Sequence, residues 1–441
     1  MRSIAEKMMN RSFQLTEENT IAAKKVLLDT IGTLIMGMNE KEQQRLVQQF
    51  ASISVGDFAL IASDKKVNKL SAAFLMGVAS VAVELDEGNQ WSKGHPAVHV
   101  VPMLLLHAQE DPHYAGKDFL MDLVKSYEFC THFGKITTLK PSLHAHGTWG
   151  VLGAAVAYGI AKRATTEELG KLIDIAATFA TPTKWEAALE GSSIRNVYVA
   201  EALEGAVKAW HLLQAGFEAP NGNTTYIFSQ LLGSSMDVEE PLETSFDAIE
   251  KNYFKQHAFC RYVHVPLENF QSLIEKYHIC ISDIAHVNIS TYQRASTLNK
   301  QITENILSSK FSIPFALASW YHLHRTDHTV FQEQAYLDET IRALATKIKV
   351  EHDPIFDVNY PTEMAAKVSI LMTNGTIVEQ TLLNAVGGPN STLNMQELVN
   401  KFTKNSQNIL SKEGASRIIS FIEQIEEQPS MKRIYDLIND K

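Results

Sequence analysis

Residues 144–162 read HAHGTWGVLGAAVAYGIAK. After two histidines and a Gly-Thr-Trp turn, Gly153-Ala154-Ala155-Val156-Ala157 offers nothing larger than valine. Side chains this small let helices approach closely, so the stretch predicts a helix over 149–162 inside a packed helical bundle. Outward from it, apolar residues recur at three- and four-residue spacing over 21–38, 69–83, 116–133, 166–180 and 199–215, each a helical pattern. Thr165 with Glu167 and Glu168 behind it supplies an N-cap and an acidic first turn, suited to the positive end of a helix dipole.

The period changes after about residue 257. HVNISTY (286–292) and KIKVEH (347–352) alternate as strands do, and 367–372 and 376–381 flank Thr373-Asn374-Gly375, a hairpin-turn signal. Helical spacing returns over 311–323 and 337–345, then again over 394–404 and 415–423. The expected fold is mainly α with an α+β insert. A helical domain spans 1–256 and 393–441, and a smaller α+β domain spans 257–392. A length of 441 residues, more than one core usually supports, agrees with two domains.

Hydrophobic residues make up 45% and charged residues 20%, which argues against disorder. The net charge of −10 is spread along the chain and no basic stripe interrupts it, so nucleic acid is not an expected partner. A few cations in a cleft still suffice for a small anion, because distant charges are screened beyond roughly 8 Å. Cys130, Cys260 and Cys280 cannot all pair and show no CxxC spacing, which points to a reducing compartment and away from an iron–sulfur cluster. Residues 1–15 hold no apolar run of signal-peptide length, and no stretch approaches the roughly 18 apolar residues of a membrane span. The expectation is a cytoplasmic protein with no membrane partner.

Four segments concentrate reactive side chains. Glu84-Leu85-Asp86-Glu87-Gly88-Asn89, followed by Gly94-His95-Pro96, puts carboxylates and a histidine in a loop between two helices. Carboxylates orient and tune an imidazole for proton transfer near neutral pH, although the loop alone also reads as a solvated acidic turn. His99 and His107, at helical positions, read as packing residues. Ser142-Leu143-His144-Ala145-His146-Gly147-Thr148 places His and Thr before a helix N-terminus, a natural carboxylate site and equally a helix cap. In Gly191-Ser192-Ser193-Ile194-Arg195-Asn196-Val197-Tyr198, Arg195 suits a bidentate carboxylate contact and Tyr198 a proton transfer. Lys255, His257, Arg261 and His264 crowd ten residues at the change of period, favouring an anion site.

Taken in order, these segments resemble the MmgE/PrpD family, which includes 2-methylcitrate dehydratase, cis-aconitate decarboxylase and iminodisuccinate epimerase. The acidic loop before GHP, HxxGTWGxxGAA, KxxxxCRYxH, Phe311-Ser312-Ile313-Pro314-Phe315 and Gly387-Gly388-Pro389 carry the resemblance over most of the chain. It implies a large helical domain with a smaller α+β lid, a homodimer, and no metal or organic cofactor. It also implies catalytic roles for Glu84 or Asp86, His95, His144 and His264, with Tyr198 beside them. Arg195, Lys255, Arg261, Thr148 and Asn89 are expected to bind a small polycarboxylate substrate. Arg195 stands where the dehydratase and decarboxylase branches carry Lys, and Arg is a poor proton donor. That substitution favours an epimerase, where no leaving group needs a proton, over a hydro-lyase. A decarboxylase and a non-catalytic helical binding protein are the alternatives.

Overall fold

The computed structural model describes residues 2–9, 12–332 and 334–440. The chain divides into two compact units. One comprises Met1–Lys184, Asn196–Tyr253 and Leu393–Lys441, the other Trp185–Arg195 and Phe254–Thr392. No helix among the described residues is long and apolar enough to cross a membrane.

The first unit is a helical bundle. Its centre is the helix Gly150–Ala161, every residue of which is buried. Around it pack Ala97–Glu110, Gly116–Ile136, Thr166–Ala177 and Val197–Gln214. The alanine- and glycine-rich sequence explains this position, since a helix apolar on all sides must be surrounded. Glu17–Met38 packs against Lys69–Val81 and the C-terminal helix Met395–Ser406. The start at Thr165 is a full capping box: its hydroxyl accepts from the backbone N–H of Glu168, whose carboxylate accepts from that of Thr165.

Ala97–Glu110 is a helix despite Pro102 within it. Its C-terminal residue Glu110 is a hub, meeting Lys69, Lys162 at 2.7 Å, His107 at 3.7 Å and the Tyr158 hydroxyl at 2.8 Å. Burial alone would raise its pKa, but hydrogen bonds from His107, Lys162, Lys69 and Tyr158 together hold the carboxyl well below its ordinary value. Three helices are thereby tied to one charge.

The second unit is α+β. Its four strands run in the spatial order Ile348–His352, Ile284–Thr291, Ala366–Met372, Ile377–Leu382. The last two form the hairpin around Asn374 and Gly375. Ile284–Thr291 and Ile348–His352 pair in parallel, which requires a crossover, and the helices Ile313–Leu323 and Glu339–Ala345 supply it. The helix Arg261–Tyr277 lies on the hairpin strands, where Asn269 Nδ2 donates to the carbonyls of Ala366 and Gln380.

Residues 185–195, which the sequence reading kept with the bundle, group with the α+β unit instead. Trp185 explains this: its Nε1 donates to Thr297 Oγ1 at 3.2 Å, its ring meets Tyr262 and Phe311, and the Arg294 guanidinium lies 4.0 Å from its centroid. One large amphipathic side chain with this many partners outweighs local chain continuity.

Candidate active site

In the helical unit the acidic loop leaves Lys69–Val81 and ends at Ala97–Glu110. Gly88 pairs with Tyr253 and Asn89 with Gly94, closing the loop on itself. Glu87 Oε1 accepts the N–H of Ala97 at 2.7 Å and so caps the helix that follows. Its other oxygen accepts from the Tyr127 hydroxyl at 3.1 Å. Burial pushes the Glu87 carboxyl up to about 8, against the lowering effect of these two donors. Lys401 braces the loop from the far end of the chain, donating to the Leu85 carbonyl at 3.0 Å while paired with Asp29 at 2.5 Å.

This frame fixes His95. Its Nδ1 lies 2.7 Å from the Glu87 carbonyl and 2.7 Å from Asp86 Oδ2. Both neighbours are acceptors, so Nδ1 carries the ring proton and Nε2 is the basic nitrogen. Of the two carboxylates between which the sequence left the choice open, Asp86 is the one beside His95. Glu84 is buried in the same loop, at φ 55, a backbone region that non-glycine residues rarely enter.

The second histidine segment folds back toward the first. His144 Nδ1 accepts the backbone N–H of His146 at 3.0 Å, so a neutral His144 carries its proton on Nε2. His146, fully buried, stacks on His144 with centroids 4.5 Å apart and rings 20° from parallel. It stands 5.0 Å from His95 and 5.9 Å from His99. The turn that allows this needs Gly147, at φ 77 with the Tyr198 carbonyl 2.7 Å from where a Cβ would be. Gly150 is needed for space, since a Cβ there would lie 2.1 Å from His99 Nε2. His99 Nδ1 donates to the His95 carbonyl at 3.0 Å, and burial drives its pKa down to about 4. Four imidazoles therefore form one cluster, three of them buried and His95 partly exposed, of which the sequence reading named two. The HxH spacing was the signal for His146. Nothing local marked His99, which that reading had set aside as packing.

Other expected site residues are occupied by the fold. Asn89 donates to the Ala248 carbonyl and accepts from the N–H groups of Trp91 and Ser92. The Thr148 hydroxyl donates to the Ala145 carbonyl at 2.6 Å. Both brace their loops through these backbone groups. Tyr198 donates its hydroxyl proton to the Lys184 carbonyl at 3.3 Å and presents its ring edge to His144 at 6.0 Å.

The α+β unit holds the cationic residues. Lys255, Arg195 and Arg261 are all buried, and so is Lys310, which the sequence reading missed. Arg195 sits with its guanidinium carbon 5.3 Å from the Phe311 centroid. Arg261 donates to the carbonyls of Val386 and Ala385, holding the turn that Gly387-Gly388-Pro389 marked. It also lies 3.5 Å from His264 Nδ1, while His264 Nε2 is 3.4 Å from the Phe259 carbonyl. Burial, with His257, Arg261 and Lys255 nearby, keeps the His264 pKa well below its ordinary value. His264, expected to transfer a proton, is thus buried between the Arg261 guanidinium and the Phe259 carbonyl.

Among the described residues, two groups each bring three potential metal-ligand atoms, one per residue, within 4.8 Å of one another: Asp86, His95 and His146 in the helical unit, and His257, His264 and Glu268 in the other. The first set is assembled from separate segments, whereas the second lies within twelve residues, with His264 and Glu268 on the helix Arg261–Tyr277.

Models of the MmgE/PrpD N-terminal domain and C-terminal domain match residues 2–226 and 257–427. The chain belongs to the MmgE/PrpD family. Among curated proteins it is similar to the cis-aconitate decarboxylase of Mus musculus, at 21% identity over 94% of this chain and 88% of that protein.

Proposed function

We propose that this protein is an acid–base enzyme acting on carbon beside a carboxylate of a small di- or tricarboxylate. It works as an epimerase of the iminodisuccinate kind or a hydro-lyase of the 2-methylcitrate kind, without a cofactor. One observation carries the reading: His95 and His144 are held in opposite tautomers. Nε2 of His95 takes a proton, and Nε2 of His144 presents one. Asp86 supports the imidazolium that forms on His95. A neutral imidazole donor such as His144 steadies the charge that develops on the substrate carboxylate as its neighbouring C–H bond breaks. The buried Arg195 and Lys255 suit an anionic substrate. Arg195, charged at every working pH, binds and does not transfer a proton, which favours epimerisation. The likeness to a cis-aconitate decarboxylase favours the second reading, decarboxylation with protonation of the product carbon.

The test is a panel of succinate-like and citrate-like acids incubated with the purified protein in D₂O. Deuterium exchange without loss of water or carbon dioxide identifies an epimerase, an unsaturated product a hydro-lyase, and released carbon dioxide a decarboxylase. No reaction with any acid would leave a helical binding protein. The homodimer that the family resemblance implies is checked by light scattering of the same preparation.

A further inference from the structure

We infer that Thr183 is a positioning residue of the centre, and that its hydroxyl sets the tautomer of His144. The inference rests on the acid–base reading above, in which His144 serves with its proton on Nε2. That proton sits there because Nδ1 accepts the backbone N–H of His146. The peptide between Ala145 and His146 therefore decides what the ring can do, and whatever holds that peptide holds the tautomer.

Two threonines hold it. The Ala145 carbonyl, in the same peptide, accepts from Thr148 Oγ1 at 2.6 Å, which fixes its rotation. The carbonyls of the flanking peptides, His144 and His146, both lie against Thr183 Oγ1, at 3.0 and 2.8 Å. A hydroxyl has one proton, so Thr183 shares it between the two acceptors. Carbonyls two residues apart that share one donor face the same way. The chain between them is thereby curled into the turn that brings the His146 N–H onto the His144 ring.

Thr183 is itself well fixed. It is buried, and it belongs to the helical unit that holds both histidines. His144 N–H donates to its carbonyl at 2.9 Å, and Thr181 N–H donates to the Gly147 carbonyl at 2.9 Å. The segment 181–183 is thus lashed to the turn at both ends. The Thr183 methyl packs on Gly147, with Cγ2 2.9 Å from where a Cβ there would lie. Without the hydroxyl, two buried carbonyls lose a shared donor and their peptides turn toward others. The His146 N–H then leaves Nδ1, and a ring nitrogen whose donor has moved away can carry the proton itself.

The first test needs no substrate: long-range ¹H–¹⁵N spectra of the full chain, labelled with ¹⁵N-histidine, at neutral pH. Wild type, Thr183→Val and Thr183→Ser are compared, and the His144 signals are assigned by their loss in His144→Gln. Valine keeps the branched shape without the hydroxyl, and serine keeps the hydroxyl without the methyl. Wild type and Thr183→Ser are expected to carry the His144 proton on Nε2. Thr183→Val is expected to show a second His144 tautomer protonated on Nδ1, with the His95 ring unchanged in all three. A Thr183→Val protein in which His144 keeps the wild-type tautomer overturns the inference. So does one in which His95 changes too, because a general loosening of the fold would move both rings. If circular dichroism finds Thr183→Val unfolded, Thr183→Cys, with a weaker donor in a similar space, carries the same expectations.

The second test is kinetic and uses whichever acid wild type turns over in the D₂O panel. Thr183→Val is expected to lower kcat by between tenfold and the roughly 10²–10³-fold of a donor lost outright. KM is expected to stay near its wild-type value, since the donor acts in the transition state, and Thr183→Ser to restore kcat. An unchanged kcat in Thr183→Val, or no rescue by serine, overturns the inference. A wild type inert toward every acid sinks the acid–base reading instead, and the spectra still decide whether Thr183 sets the tautomer.

Discussion

Replacing His95 with alanine removes the nitrogen that faces Asp86 and the Glu87 carbonyl, and replacing His144 removes the oriented donor. Each change is expected to lower turnover by roughly 10²–10⁴-fold with the fold intact. Steady-state kinetics and circular dichroism check this, and a variant turning over at near wild-type rate strikes that histidine from the mechanism. Arg195→Lys keeps a charge but loses the planar fork, so KM is expected to rise more than kcat falls. A steep loss of kcat with unchanged KM would mean proton transfer at this position. Glu87 makes a prediction about pH. Its carboxyl ionises near 8 when folded and near 4.3 when unfolded, so between those values the folded chain holds a proton that the unfolded chain has lost. Stability from this group therefore falls as pH rises from about 4 to about 8. Glu87→Gln keeps an acceptor for Ala97 and sets an NH2 against the Tyr127 hydroxyl, which can turn to accept from it, so its melting temperature should exceed that of wild type at pH 8 and converge with it near pH 4. Parallel melting curves across that range would contradict the assignment.

Helices were legible where one face repeats. The patterns over 21–38, 116–133 and 166–180 became Glu17–Met38, Gly116–Ile136 and Thr166–Ala177, with shifts only at the ends, where caps decide. The strands over 286–292 and 347–352 were equally visible, but their parallel pairing was not. Alternation sets which face is buried and says nothing of which neighbour shares the ladder. The Glu110 hub is an element-scale device of the same kind, joining three helices through residues far apart in sequence. Because its folded pKa is depressed, its contribution is present above the unfolded value near 4.3 and is lost as pH falls below it. Glu110→Gln is expected to cost about 2 kcal/mol at pH 7, and the difference from wild type to shrink below pH 4 in urea titrations. A variant as stable as wild type at pH 7 would show that Lys69 and Lys162 are satisfied by solvent.

For the whole molecule, a cofactor-independent reaction predicts that EDTA leaves turnover unchanged, although two sets of ligand-bearing residues among those described are close enough to hold an ion. Loss on chelation, restored by one particular metal, would assign one of those sets to catalysis. The amino-acid sequence by itself determined the helical bundle, the α+β insert, the family, and the two loops that carry His95 and His144. Each of these is written in a few consecutive residues, as a period, a cap or a motif. Tertiary structure decided the rest: Asp86 over Glu84 as the partner of His95, the entry of His99 and His146 into the cluster, the occupation of Asn89 and Thr148 by backbone groups, and the bracing of the acidic loop by Lys401. The reason is physical. A tautomer, a pKa or a hydrogen bond is set by whichever atoms lie within about 3 Å, and here those atoms come from segments as far apart as Leu85 and Lys401, 316 residues along the chain.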